Sequence, residues 1–214
     1  MTPKLHIGDK NYSSWSMRPW LALRVGGIAF DEMMHALPEM GGKPAFGALS
    51  PNAKVPALDL GGGVVIAESL AIGEWAAEQQ PSLWPEDATA RALARAASAI
   101  MHSGFPNLRN DAPMNIRRRS DASRMTADGL ADAARVDALW REWLARSGGP
   151  FLFGRWSIAD AMYAPVVTRF VTYAIPRSDV AQGYLDRMWA EPNFAAWVDG
   201  AEAETRQLPR SDQA

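Results

Sequence analysis

The sequence predicts an α/β N-terminal half, a mixed sheet with helices packed on it, followed by an all-helical C-terminal half. Residues 1 to about 80 alternate short apolar strand-like segments with helical runs, and from about residue 88 only helical periodicity is found. Between them, Pro81-Ser82-Leu83-Trp84-Pro85-Glu86-Asp87 reads as a short linker punctuated by proline. The expected division is therefore 1–80, a linker at 81–87, and a helical domain at 88–214. Leu83 and Trp84 make that linker too apolar to be floppy, so the halves are expected to pack together.

The elements follow in order. Lys4–Gly8 is short and apolar, a first strand. Ser16–Val25 is a helical run stopped by Gly26-Gly27. Ala29–Leu37 is a candidate strand of imperfect alternation that includes Phe30, Met33 and His35. Pro56–Leu60 and Val64–Ala67 flank Gly61-Gly62-Gly63, a hairpin signal. Glu68–Gln80 runs helical up to Pro81. In the second half, Ala88–Phe105 is alanine-rich and ends at Pro106, which cannot continue a helix. Arg124–Ser147 carries Leu130, Ala133, Val136, Leu139, Trp140 and Trp143 at helical spacing. Ser157–Tyr173, Val180–Ala190 and Pro192–Glu204 complete the set.

Composition sets the outer bounds. A chain of 214 residues with 48% apolar and 21% charged content can bury a sizeable core as one domain or two small ones. A net charge of −2 gives no global field favouring nucleic acid or an anionic membrane, so neither is expected as a partner. Cysteine is absent, which excludes disulfides, thiolate metal sites and a protein-borne thiol nucleophile. No run approaches the ~18 apolar residues of a membrane span, and the first residues carry no apolar core of a secretory signal. A cytoplasmic protein is the expectation.

The most distinctive stretch is Asn11-Tyr12-Ser13-Ser14-Trp15-Ser16-Met17-Arg18-Pro19-Trp20. Hydroxyls at a strand-to-helix junction aim donors at an anion, helped by the unpaired N–H groups of the helix start. In Ser50-Pro51-Asn52-Ala53-Lys54-Val55-Pro56, a cis Val55–Pro56 bond would turn the Val55 N–H and C=O outward to pair with an extended peptide. A trans proline in an ordinary loop is the other reading. At Glu68-Ser69, a carboxylate and a hydroxyl meet the start of a helix and together suit the zwitterionic end of an amino acid. Ser69 as a plain helix cap is the alternative there.

These motifs, in this order, resemble the glutathione transferase superfamily, with a serine-type N-terminal motif similar to the zeta and tau classes. The fourth match is Ser157-Ile158-Ala159-Asp160, an S-x-x-D capping box whose role is folding. The resemblance implies a thioredoxin-like N-terminal domain, an all-α C-terminal bundle, glutathione as co-substrate without a metal, and a homodimer. Counting back five residues from Arg18 places the catalytic hydroxyl at Ser13, with Ser14 second; Ser16 is expected to cap the helix, which puts Pro19 near its start where its missing N–H costs little. The resemblance further implies that Val55 pairs with the cysteinyl unit, that Glu68 and Ser69 hold the γ-glutamyl end, and that Lys54 or Lys43 reaches the glycyl carboxylate. Trp15, which stands where the zeta motif has cysteine, is assigned with His102 and Arg109 to the second-substrate pocket. The activity implied is attack of a serine-stabilised thiolate on a small electrophile. A glutathione-dependent isomerase of the maleylacetoacetate type, a peroxidase, and a non-catalytic binding protein of the same fold are the alternatives.

Overall fold

The computed structural model describes residues 2–38, 46–47 and 49–212. Its sheet has the order β2-β1-β3-β4, built from β1 (Lys4–Gly8), β2 (Asp31–His35), β3 (Ala57–Asp59) and β4 (Val65–Ala67). β1 pairs parallel with β2 and antiparallel with β3, and β3 pairs antiparallel with β4. β1 lies inside the sheet because Leu5 and Ile7 are wholly apolar and wholly buried. β2 and β4 are the edges, and on β2 the exposed Asp31 and Glu32 discourage pairing with a further strand. The β3–β4 turn uses Gly61, Gly62 and Gly63 at φ of 84°, 63° and 83°, a left-handed run that side chains disfavour.

Two helices flank this sheet, α1 (Ser14–Val25) and α2 (Ser69–Gln79). Beyond a 3-10 turn at Pro81–Leu83 come α3 (Ala88–Ser103), α4 (Pro106–Asp111), α5 (Ala127–Ser147), α6 (Ile158–Thr172), α7 (Asp179–Ala190), α8 (Pro192–Ala203) and α9 (Pro209–Asp212). This is a thioredoxin-like domain joined to an all-helical one. Pro106 does not simply end a helix; it opens α4 at the first helical position, after Phe105 turns the chain at φ 60°. No helix among the described residues is long and apolar enough to cross a membrane.

α6 is the axis of the molecule. It packs against both α1 and α3, and every residue from Ile158 to Phe170 is buried. Its start is the expected capping box: the Asp160 carboxylate accepts from the backbone N–H groups of Ser157 (2.9 Å) and Leu152 (3.1 Å), and from the Tyr184 hydroxyl (3.0 Å). Around it Trp140 meets Tyr163, Phe170 and Tyr184 at centroid distances of 6.0, 5.2 and 5.0 Å, tilted or edge-on as ring quadrupoles prefer. Because α1 lies on this helix, the first turn of α1 is brought to the seam between the halves.

Candidate functional site at the start of α1

The junction between β1 and α1 is tightly wound. The Asp9 carbonyl accepts the N–H groups of both Tyr12 (3.1 Å) and Ser13 (2.8 Å), so the helix begins at Ser14, earlier than the sequence implies. The cap is therefore Ser13, not Ser16: Ser13 Oγ accepts the Ser16 N–H at 3.4 Å. Ser16 is instead fully buried inside the helix, where its Oγ accepts the Gly8 N–H at 3.0 Å and the Ser13 hydroxyl at 2.7 Å. This correction moves Pro19 into the helix interior, where it cannot serve the Trp15 carbonyl. Burial of α1 from Ser16 to Leu23 holds the helix together across that missing bond.

Next to this turn is a cleft of about 270 Å³ lined by Trp15, Asn52, Lys54, Val55, Pro56, Glu68 and His102. The Val55–Pro56 bond is cis. The preceding loop is fixed by its own side chains: the Ser50 Oγ accepts the Lys54 N–H at 3.1 Å, and the Asn52 carbonyl oxygen accepts it at the same distance. Asn52 also donates to Glu68 Oε1 at 2.9 Å, tying this loop to the start of α2. Glu68 is the residue before α2 and sits at φ 73°, ψ 129°, a conformation costly for a side-chain-bearing residue. Ser69 does not cap α2. It is the first helical residue, 1% exposed, and its hydroxyl meets no partner among the described residues. A hydroxyl beside the unpaired N–H groups of a helix start is an arrangement that can accept a carboxylate.

Trp15 also roofs a cationic layer. The Arg18 and Arg109 guanidinium carbons lie 4.3 and 4.9 Å from its ring centroid, and His102 meets it edge-on at 5.2 Å. Arg109 donates to the carbonyl oxygens of Met101 and His102 at the end of α3. Arg169, on α6, donates to the Ala112 and Pro165 carbonyls at 2.8 and 3.0 Å. Arg18 has no such carbonyl among the described residues: its Nε and Nη1 are buried without a hydrogen bond. Burial, and then the like charges of Arg109 and Arg169, push the Arg18 guanidinium well below its ordinary value. Tyr163 lies in the same layer with its hydroxyl unpaired among the described residues, and burial pushes that phenol upward. His102 is driven down, first by burial and then by the charge of Arg18, and its Nε2 lies 3.8 Å from Glu68 Oε2.

The structure thus gathers Trp15, Lys54, Val55, Glu68 and His102 around one cleft, with Ser69 at its α2 end and Arg109 stacked behind Trp15. Ser13 and Ser14 immediately precede Trp15 and are not among the residues of the cleft wall; Ser13 is buried and Ser14 half-buried. Lys43 lies outside the described residues. Sequence reasoning missed Asn52 as a cleft residue and treated Arg18 only as a landmark, although both stand inside the motifs it quoted. Tyr163 and Arg169 carried no sequence signal, since they come to the site only through the packing of α6 on α1. Among the described residues no group of three or more His, Cys, Asp or Glu is placed to hold a metal.

A sheet domain with a cis-proline edge facing a helix start, closed on one side by a helical bundle, defines a two-domain protein of the glutathione transferase fold. The chain belongs to the glutathione S-transferase family: the family's N-terminal domain matches residues 12–79 and its C-terminal domain residues 117–200. It is 36% identical over 143 residues to maleylpyruvate isomerase of a Ralstonia species, a match spanning 64% of this chain and 63% of that protein. It is 30% identical over 182 residues to maleylacetoacetate isomerase of Rattus norvegicus, covering 82% of each. In structure it is similar to the theta class glutathione S-transferase of Xanthomonas axonopodis pv. citri, solved with glutathione bound, with a TM-score of 0.68 and 25% identity over 92% of this chain and 97% of that one.

Proposed function

We propose that this protein binds glutathione in the cleft beside α1 and uses a serine hydroxyl at the start of that helix to hold the sulfur as thiolate for attack on a small electrophile. The observation that carries this reading is the unpartnered Ser69 hydroxyl at the α2 start, next to Glu68, which lines one cleft together with the cis-proline loop. In this reading Ser69 and the α2 N–H groups take the γ-glutamyl carboxylate, and Glu68 takes its ammonium. The Val55 backbone, which no described residue hydrogen-bonds, pairs with the cysteinyl unit, and Lys54 reaches the glycyl carboxylate.

Ser13 is the preferred hydroxyl because of what stands behind it. The chain Gly8 N–H to Ser16 Oγ to Ser13 Oγ is continuous at 3.0 and 2.7 Å. Both hydroxyl hydrogens rotate freely, so Ser16 can donate to Ser13 while Ser13 donates to sulfur. Chained donors strengthen one another, and a hydrogen bond to the charged form lowers a thiol pKa. A depression of about two units from the free-thiol value near ~8.5 leaves most bound sulfur ionised at neutral pH.

A second observation favours an isomerase over a general transferase. Arg18 and Arg109 flank Trp15 with no carboxylate partner among the described residues, an arrangement suited to an acidic substrate. An isomerase of this kind adds the thiolate to the β-carbon of a cis-enoyl acid and moves the π electrons onto the carbonyl. Rotation about the resulting single bond, then re-expulsion of the thiolate, gives the trans alkene and returns the tripeptide unchanged. The two relatives' names concern maleyl acids, and this reading is consistent with them.

The test begins with calorimetric titration of glutathione and the ultraviolet thiolate band of the complex. Loss of the band near neutral pH in Ser13→Ala, with retention in Ser14→Ala, is the expected pattern; the reverse transfers the role to Ser14. No binding at millimolar glutathione would leave only a non-catalytic member of the fold. Proton NMR of a maleyl diacid with catalytic glutathione then separates cis–trans isomerisation from consumption of glutathione by adduct formation. A two-fold dimer is part of the proposal, and sedimentation at a single chain mass of 23.4 kDa at micromolar concentration would count against it.

A further inference from the structure

The turn that presents Ser13 is held from outside its own domain. The Glu204 carboxylate, just beyond α8, accepts the backbone N–H groups of Lys10 (2.6 Å) and Asn11 (3.0 Å). Arg206 pairs with the Asp9 carboxylate at 2.6 Å, and that same carboxylate accepts the Leu37 N–H at 2.7 Å. Tyr12 donates to Asp212 at 2.9 Å while its oxygen accepts the Leu208 N–H at 3.2 Å. Every residue from Asp9 to Tyr12 is therefore anchored to the segment 204–212, more than 190 positions away in sequence.

These anchors bear on the proposed thiolate site through a short covalent path. The Asp9 carbonyl accepts the Tyr12 and Ser13 N–H groups, so the orientation of the Asp9 peptide sets where Ser13 leaves the turn. The turn has little freedom elsewhere: Asp9, Asn11, Tyr12 and Ser13 are all buried. Domain packing alone needs apolar contact, which α1 on α6 already supplies. It does not require a carboxylate bridging two adjacent backbone N–H groups of the turn ahead of the serine. Such a bridge fixes peptide-plane orientation, which is what a donor aimed at sulfur depends on.

We propose that segment 204–212 is a positioning element of the thiolate site, with Glu204 and Arg206 as its positioning residues, acting through the turn Asp9–Tyr12 on the Ser13 hydroxyl. The proposal rests on the reading that a serine hydroxyl stabilises bound thiolate. Truncations tested for stability alone would miss it.

The measurement is the pH midpoint of the thiolate band of the glutathione complex, taken with glutathione affinity and the unfolding midpoint. In Glu204→Ala the band midpoint is expected to rise by about one pH unit, a roughly tenfold smaller ionisation constant of bound thiol, with glutathione affinity within about twofold of wild type below about pH 6, where the bound thiol is protonated in both proteins. Glu204→Gln keeps one acceptor oxygen but sets an amide NH2 against a backbone N–H, so its midpoint should fall between the two. Arg206→Gln frees the Asp9 carboxylate from a side chain that is 33% exposed; it carries the test if Glu204→Ala does not fold. A merely structural strap would lower the unfolding midpoint and leave the thiolate midpoint in place, and that result in both Glu204→Gln and Arg206→Gln overturns the proposal. A wild-type complex with no thiolate band would instead remove the parent reading, a failure seen before any variant is made.

Discussion

The Arg18 guanidinium carbon lies 4.3 Å from the centre of the Trp15 ring, a cation–π contact in a layer where Arg18 Nε and Nη1 meet no hydrogen-bond partner among the described residues. Arg18 is 2% exposed, pairs with no carboxylate among the described residues, and shares its layer with Arg109 and Arg169. A desolvated cation–π contact is worth about 2 kcal/mol, whereas burying an ion costs several kcal/mol after relaxation. The balance is unfavourable for folding. Arg18 lies against the face of Trp15, a residue of the cleft wall, so its charge is held one ring away from the cleft.

Arg18→Met should therefore stabilise the empty protein while harming function. Met fills a similar volume without a charge to desolvate, and replacing buried ions by apolar residues commonly gains about 1–4 kcal/mol. The expected result is a higher denaturant midpoint with unchanged m-value, together with at least a roughly tenfold loss of turnover on an acidic substrate. A lower midpoint than wild type would mean that something stronger than the Trp15 ring holds Arg18 in place.

The His102 ring reports the same charge from a second position. Its pKa is lowered first by burial and second by Arg18, so by NMR it should titrate below free histidine and stay neutral through physiological pH. Removing a neighbouring cation makes protonation easier. In Arg18→Met the His102 midpoint should therefore move upward. No movement would place the guanidinium farther from His102 in solution than it stands here.

Much of this arrangement was legible because the motifs are local. The glycine hairpin and the capping box of Ser157 and Asp160 rest on residues close in sequence, whereas the grouping of Trp15, Val55 and Glu68 spans three separate segments and was legible only through the family resemblance of their motifs. The helix start was misread because Pro19 argued for a late cap, and nothing local revealed that the Asp9 carbonyl winds the turn early or that α6 holds α1 together. The arginine layer was illegible for a different reason. It joins α1, α4 and α6, and an arginine's lack of partners is a property of the packed interior alone.

Glu68 offers a separation of stability from binding. At φ 73° its backbone is held in a region where glycine is at ease, a strain of order 1–3 kcal/mol. Glu68→Gly should raise the unfolding midpoint or leave it unchanged despite losing the hydrogen bond from Asn52. Glutathione affinity should fall at least about tenfold, because the proposed ammonium partner is gone. Unchanged affinity by calorimetry would remove Glu68 from the binding site.

Asp160 gives the folded state a pH dependence of its own. Burial pushes its carboxyl from 3.8 to about 6, against the lowering pull of the donors from Leu152, Ser157 and Tyr184. With the folded pKa raised, the folded state binds the proton more tightly than the unfolded chain does. The stability this confers is fully present below the unfolded value of 3.8 and is lost as pH rises through about 6, beyond which it is flat. The total swing is about 3 kcal/mol. Urea denaturation between these limits should show stability falling with rising pH over this window, superimposed on the opposite trend from surface carboxylates. Asp160→Asn removes the titrating group, so the difference between wild type and variant should itself change with pH only inside the window. The variant is also expected to be less stable throughout, because the single amide oxygen cannot accept from every donor that meets the carboxylate. A wild-type-minus-variant difference that stays constant from pH 4 to 7 would mean that the capping-box donors, rather than burial, set the charge of Asp160.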